Sequence, residues 1–170
     1  MVGIAHLHKL SIAHLPSSFR KTVEINGKPH VFDIVDSAGQ EEYRFVSQSY
    51  LQMSHGFLIV YSVNDPSSLN EAKIIYNSLK DLRDLEKVPC LLIGNKIDLE
   101  TRAVSEEQGR ALADIWKCGY FETSAKEFIN IEEAFLTLAE LVIQQKRVND
   151  ELRAQAGAPT RGLLRLCTVL

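Results

Sequence analysis

Two short, uninterrupted apolar runs, each followed by a segment with helical spacing, constrain the fold of this chain more than any other feature. The runs are residues 57–61 (FLIVY) and 90–93 (CLLI). Neither alternates with polar residues, which is typical of strands buried on both faces of a parallel sheet. The sequence therefore predicts an α/β fold, a mostly parallel sheet with helices on both faces, whose ligands bind at the carboxyl ends of the strands.

A β-hairpin is predicted ahead of these strands. Residues 22–25 and 28–35 are rich in β-formers, and the Asn26-Gly27 pair between them readily adopts the positive φ values of a type I′ turn. Three polar signals indicate where amphipathic helices begin. They are Asp65-Pro66, Ser105 with Gln108, and Asn130 with Glu133.

Length and composition narrow the class of protein. A chain of 170 residues favours a single domain, and a net charge of −3 gives no basic field of the kind that holds nucleic acid. Three widely spaced cysteines fit neither a disulfide framework nor a zinc site, which predicts a reducing, intracellular setting. Histidines and a lysine interrupt the N-terminal segment where a signal peptide needs an unbroken apolar stretch.

The first chemical motif, residues 36–43 (DSAGQEEY), directly follows a predicted strand. It resembles the DTAGQEEY box of Ras-family GTPases. The resemblance implies that Asp36 holds Mg²⁺ through water, that the backbone N–H of Gly39 approaches a γ-phosphate, and that Gln40 orients the attacking water, the role that the corresponding glutamine has in Ras itself. The alternative is a strand-ending aspartate and a turn glycine, but a stretch of eight residues with a single Thr-to-Ser change counts against it.

The second motif, residues 94–98 (GNKID), follows the next buried strand and resembles the NKxD guanine box. Guanine presents adjacent N1–H and N2–H donors that one carboxylate can accept, whereas adenine has no such pair, so Asp98 would discriminate between the bases. By resemblance, Lys96 lays its methylene stem along the base and Asn95 fixes the loop. Alone, this tetrapeptide is also a common surface turn, and its position after a strand gives it weight.

The third motif, residues 122–126 (ETSAK), resembles the remaining guanine element of the family. The resemblance implies nucleotide contacts from Ser124, Ala125 and Lys126, with the backbone N–H of Ala125 meeting guanine O6. The alternative is an ordinary helix-start loop capped by Ser124. Three boxes in the right order, covering roughly three quarters of the chain, indicate the Ras, Rap, Ral and Rheb branch of the small GTPases.

The sequence ends Cys167-Thr-Val-Leu170, which fits a C-a-a-X lipidation motif with the leucine typical of a geranylgeranyl group. Basic residues outnumber acidic ones in the preceding segment, which favours binding to anionic lipid. One prenyl chain and few charges predict reversible attachment to the cytoplasmic face of a plasma membrane or endomembrane.

Four family elements are missing or replaced in these residues: the first strand, the phosphate loop, the first helix and switch I. No GxxxxGK[S/T] phosphate loop occurs, Gly27-Lys28 is followed by Pro29, and His14 stands where the first-switch threonine is expected. Losing about four charge-assisted bonds of roughly 1.5–3 kcal/mol each would weaken nucleotide binding by four or more orders of magnitude. The family's first strand, which lies mid-sheet between the hairpin and residues 57–61, is also missing or replaced, and residues 2–15 are a candidate substitute.

We therefore expect a divergent segment at 1–17, a partial small-GTPase domain at 18–147 and a flexible tail at 148–170. The predicted function is that of a Ras-type small GTPase in membrane-associated signal transduction, binding GTP/GDP with Mg²⁺ and impaired by loss of the phosphate loop. Regulators or effectors would bind around residues 40–50. The alternatives are a nucleotide-free, prenylated interaction module and an unstable truncated isoform.

Overall fold

The computed structural model describes residues 17–37, 51–82, 84–155 and 164–169. A short 3₁₀ turn, Leu85–Lys87, precedes the fourth strand. The strands and longer helices of the described residues are β1 Ser17–Ile25, β2 Lys28–Ser37, β3 Gly56–Ser62, α1 Pro66–Leu82, β4 Cys90–Asn95, α2 Glu106–Trp116, β5 Gly119–Thr123, α3 Ile131–Gln155 and β6 Leu164–Val169.

The strands form one six-stranded sheet in the order β1-β2-β6-β3-β4-β5. The β1–β2 hairpin is antiparallel, and every other neighbouring pair is parallel. Helices pack on the sheet, so the predicted mostly parallel α/β fold of the small-GTPase type is confirmed. No helix in the described part of the chain is long and apolar enough to cross a membrane.

Local sequence signals account for the hairpin and the first two long helices. Asn26 and Gly27 have φ values of 53° and 70°, the left-handed conformation that the predicted turn requires. Asp65 accepts hydrogen bonds from the backbone and hydroxyl of the residue at the second helical position, which starts α1 at the predicted proline. Ser105 forms the predicted capping box with Gln108 ahead of α2.

The start of α3 differs from the predicted capping box. Asn130 has φ 57°, whereas a capping residue is normally extended, and its side-chain amide donates to the carbonyl oxygen of Glu122 at 2.8 Å. The asparagine therefore ties the start of α3 to the end of β5. The helix also continues to Gln155, beyond the boundary expected at residue 147.

Two apolar clusters form the core, one on each face of the sheet. One contains Phe57, Ile59 and Leu92 with residues of α1 and α2, and the other contains Leu58, Leu91 and residues of α3. Strands β3 and β4 direct alternate side chains into the two clusters, so both faces of each strand are buried. This explains why their sequences are apolar without interruption. Cys90 is buried in β4, as expected for a small core residue.

Strand β6 occupies the middle of the sheet, between β2 and β3 and parallel to both. The sequence predicts a flexible tail here, but residues 164–169 form a strand in which Leu164, Leu166 and Cys167 are at most 3% exposed. The glycines and proline at 157–162 suggested a tail, while the apolar–polar–apolar order of residues 164–166 is a strand signal of period two. The other candidate for this position, residues 2–15, lies outside the described residues.

Candidate nucleotide-binding site

The predicted guanine-reading residues meet at the carboxyl ends of two neighbouring strands. Strands β4 and β5 are parallel, and Asn95 lies opposite Thr123 in their register. The loop after β4 carries Lys96 and Asp98, and the loop after β5 carries Ser124. Parallel strands bring their carboxyl ends to one edge of the sheet, which is where open α/β sheets bind ligands.

Asn95 joins the two loops. Its Oδ1 accepts the Thr123 hydroxyl at 3.2 Å and the backbone N–H of Ala125 at 3.1 Å. The family resemblance assigns this same N–H of Ala125 to guanine O6, and in the structure its acceptor is Asn95.

Asp98 is fixed by Ser124. The buried Ser124 hydroxyl donates to Asp98 Oδ1 at 2.6 Å and accepts the backbone N–H of Glu127 at 3.0 Å. The hydrogen bond from Ser124 lowers the pKa of Asp98; burial opposes this shift and Lys126 assists it. The side chain of Asp98 is only 8% exposed, so an ionised acceptor is held in a defined orientation at the sheet edge.

The two lysines of the predicted site, Lys96 and Lys126, lie in the loops after β4 and β5. Lys126 lies 3.7 Å from Asp98 Oδ2, too far for a hydrogen bond, and its side chain is 68% exposed. Lys96 is exposed and has φ 70°, a left-handed conformation that non-glycine residues adopt mostly where the surroundings enforce it. Both side chains are accessible to a ligand at this edge.

A second layer of contacts supports this edge and was not foreseen from the sequence. Arg102 makes a two-pronged ion pair with Glu122, at 2.7 and 2.9 Å, and Tyr120 donates to the same carboxylate. The hydrogen bonds from Arg102 are the main cause of the lowered pKa of Glu122. Arg102 lies 20 positions from its partner, and no local pattern links the two, so only the fold reveals the pair.

Asp36 is the penultimate residue of β2, at the same edge of the sheet but on a different strand. Its Oδ1 is buried with no hydrogen-bond partner, and burial raises the pKa of the carboxyl. An unpartnered carboxylate oxygen suits a hydrated Mg²⁺, which usually keeps several waters and takes one or two carboxylates. In the described ranges no three His, Cys, Asp or Glu residues cluster as a metal site. Gly39 and Gln40 lie outside the described residues.

Comparison with known proteins agrees with this geometry. The model of the Ras family matches residues 11–144, which begins seven positions before the partial domain predicted from sequence. Ras-like protein rasS of Dictyostelium discoideum is 39% identical over 142 residues, 83% of this chain and 73% of that protein. Ras-like protein 1 of Saccharomyces cerevisiae is 42% identical over 129 residues, 75% of this chain.

The sheet, the paired loops at its edge and these matches define a small GTPase of the Ras type. The chain belongs to the Ras family. The chain spans 42% of the length of the yeast relative, so the match alone does not show that this chain has the activity of the whole relative.

Proposed function

We propose that this chain binds guanine nucleotides through the β4–β5 edge, more weakly than a complete site would and with little GTP hydrolysis. The observation that carries the proposal is the Asp98 carboxylate, ionised and oriented by Ser124 beside an accessible loop. Two acceptor oxygens offer more lone pairs than Ser124 uses, which leaves room for the N1–H and N2–H of guanine. An adenine would leave the carboxylate without these donors.

The phosphate side of the proposed site is less complete. Asp36 would hold Mg²⁺ through water, and the ion would offset phosphate charge when bound. By family resemblance, the backbone N–H of Gly39 would approach a γ-phosphate and Gln40 would orient a water. Residues 1–170 contain no GxxxxGK[S/T] motif, and β6 takes the position between β2 and β3. We therefore infer that base contacts supply a larger share of the affinity than phosphate contacts.

Signalling at a membrane is the proposed setting. Lipid attachment at Cys167 would bring the chain to the cytoplasmic face of a plasma membrane or endomembrane, where regulators or effectors would bind near residues 40–50. A nucleotide-free interaction module is the second candidate. It is favoured by one observation: the chain itself fills the centre of its sheet, through β6.

Nucleotide content separates the two candidates. The purified protein is denatured, the released nucleotides are identified by chromatography, and the native protein is titrated with fluorescent GDP and ADP in Mg²⁺. Saturable binding of GDP with at least about 10²-fold preference over ADP is expected, since two charge-assisted hydrogen bonds distinguish the bases. Equal or undetectable binding of both nucleotides would favour the interaction module.

A further inference from the structure

The C-terminal strand holds the proposed lipidation residue in the interior of the protein. Cys167 lies between Val35 of β2 and Phe57 of β3 in the strand register, and all three side chains are at most 1% exposed. Its side chain belongs to the apolar cluster on the α1 side of the sheet. A prenyl group on this sulfur has no volume available while β6 is in the sheet, because protein interiors are close-packed.

We propose that residues 164–169 are an exchangeable strand, and that insertion of this strand and lipid attachment at Cys167 exclude each other. The inference rests on the proposed lipidation of Cys167 and adds the condition under which it occurs. Only chains whose β6 has left the sheet would be modified, and a modified chain could not close its sheet with the same strand.

Release of β6 leaves the pairings among the other strands in place. The pairings of β6 with β2 and β3 are separate from those within the β1–β2 hairpin and within the β3–β4–β5 block. The hairpin would stay connected through Ile25 and Phe32, which share a cluster with α3 residues. The opening free energy of a buried central strand lies near the upper end of the range for local opening, so comparison with Cys90 decides whether release is local or global.

Substitutions that remove contacts of Arg165 should change how readily β6 leaves the sheet. Its backbone N–H donates to His55 Nδ1 at 3.1 Å, and its carbonyl accepts the backbone N–H of His55 at 2.7 Å. Its guanidinium lies 3.9 Å from Asp33. Replacing His55 by alanine removes one acceptor without altering the tail sequence that a prenyltransferase would read.

The chemistry of the modification is a displacement. The Cys167 sulfur forms a thioether bond to C1 of an allylic prenyl diphosphate, the C1–O bond breaks, diphosphate leaves with the electron pair, and the thiol proton passes to solvent. The prenyl diphosphate and its transferase are the co-reactants. The sulfur must reach the transferase, which a thiol at the centre of a sheet cannot do.

The test measures thiol alkylation and prenyl transfer on the same full-length proteins. N-ethylmaleimide labelling, read by mass spectrometry, gives the rates at Cys167, at buried Cys90 and at partly exposed Cys118. In the wild type we expect Cys167 to react at least about 10²-fold more slowly than Cys118, because reaction requires opening. His55→Ala should raise the Cys167 rate about 5-fold, the effect of one hydrogen bond, and Leu166→Ala should raise it about 30-fold or more, the effect of a core truncation.

Cys90 is the internal control for global unfolding. Because Leu166→Ala also lowers the global stability that protects Cys90, the criterion is the comparison within one protein. A Cys167 rate above the Cys90 rate identifies local release, and geranylgeranyl transfer by a purified type I transferase should increase in the same order across the three proteins. Equal rates at both cysteines in every variant would overturn the exchangeable strand. Fast labelling of Cys167 in the wild type would overturn it while leaving lipidation intact, whereas no transfer to the rapidly labelled variants would reject lipidation of Cys167 and with it the mutual exclusion.

Discussion

Replacing Asp98 by asparagine tests how the β4–β5 edge reads a base. The carboxylate accepts one hydroxyl hydrogen bond, from Ser124, and has remaining acceptor positions for the two adjacent donors of guanine. Asparagine keeps one acceptor oxygen but turns the other position into a donor, which opposes the N2–H of guanine. Both hydrogen bonds lose their charge assistance and one also loses its acceptor. At about 1.5–3 kcal/mol for each charge-assisted bond, the cost is at most roughly 3–6 kcal/mol, or up to about 10²–10⁴-fold in GDP affinity.

The same variant should gain affinity for xanthine. Xanthine carries a carbonyl oxygen where guanine carries the N2 amino group, and the asparagine amide can donate to it. Titration of the wild type and of Asp98→Asn with fluorescent GDP and XDP measures how far the preference shifts from guanine to xanthine. Asp114→Asn makes the same chemical change at an exposed position of α2 and should leave both affinities unchanged.

Either of two results would refute this reasoning about the site. GDP affinity that survives Asp98→Asn would mean that the carboxylate does not contact the base. A loss of GDP affinity with no gain for XDP, in a variant that unfolds at the wild-type temperature, would mean that Asp98 supports the loop without touching the ligand.

Three further predictions concern stability. Leu166→Ala in β6 should cost about 2–5 kcal/mol in urea unfolding, whereas Leu152→Ala, 59% exposed on α3, should cost less than about 0.5 kcal/mol. Arg102→Ala should cost about 1 kcal/mol at pH 6 and progressively less as the pH falls below the ordinary pKa of a glutamate, because the lowered pKa of Glu122 contributes stability that is present above its unfolded pKa and is lost as the pH falls through its folded pKa; a cost that does not fall with pH would contradict the ion pair. Gly109→Ala should cost about 1–3 kcal/mol, because a Cβ there would meet two tyrosine hydroxyls; thermal melting measures it, and an unchanged melting temperature would contradict the close approach.

Much of this fold could be predicted because local signals coincide with the global structure. The apolar runs became β3 and β4, the Asn26-Gly27 turn joined the hairpin, and Ser105 with Gln108 capped α2. Each of these signals lies within a few residues of the element it specifies, and tertiary packing favours the same local structure.

The central strand could not be predicted with the same reasoning. Residues 164–169 are separated from β2 and β3 by most of the chain, and pairing over such a distance leaves no local trace beyond a short alternation of apolar and polar residues. The hydrogen bond from Ala125 to Asn95 and the ion pair of Arg102 with Glu122 were missed for the same reason. The guanine boxes predicted which residues gather at the edge, and the fold determines which partner each one takes.

Closure of the sheet by β6 is the central claim, and amide hydrogen exchange of segment 164–169 tests it directly. In the uniformly labelled full-length protein, the amides of Leu166 and Cys167 should exchange orders of magnitude more slowly than those of an unstructured peptide of the same sequence. The amides of Leu91 and Leu92 in β4 provide the protected reference. Exchange of Leu166 and Cys167 at the rate of the unstructured peptide, with β4 still protected, would contradict closure of the sheet by this strand.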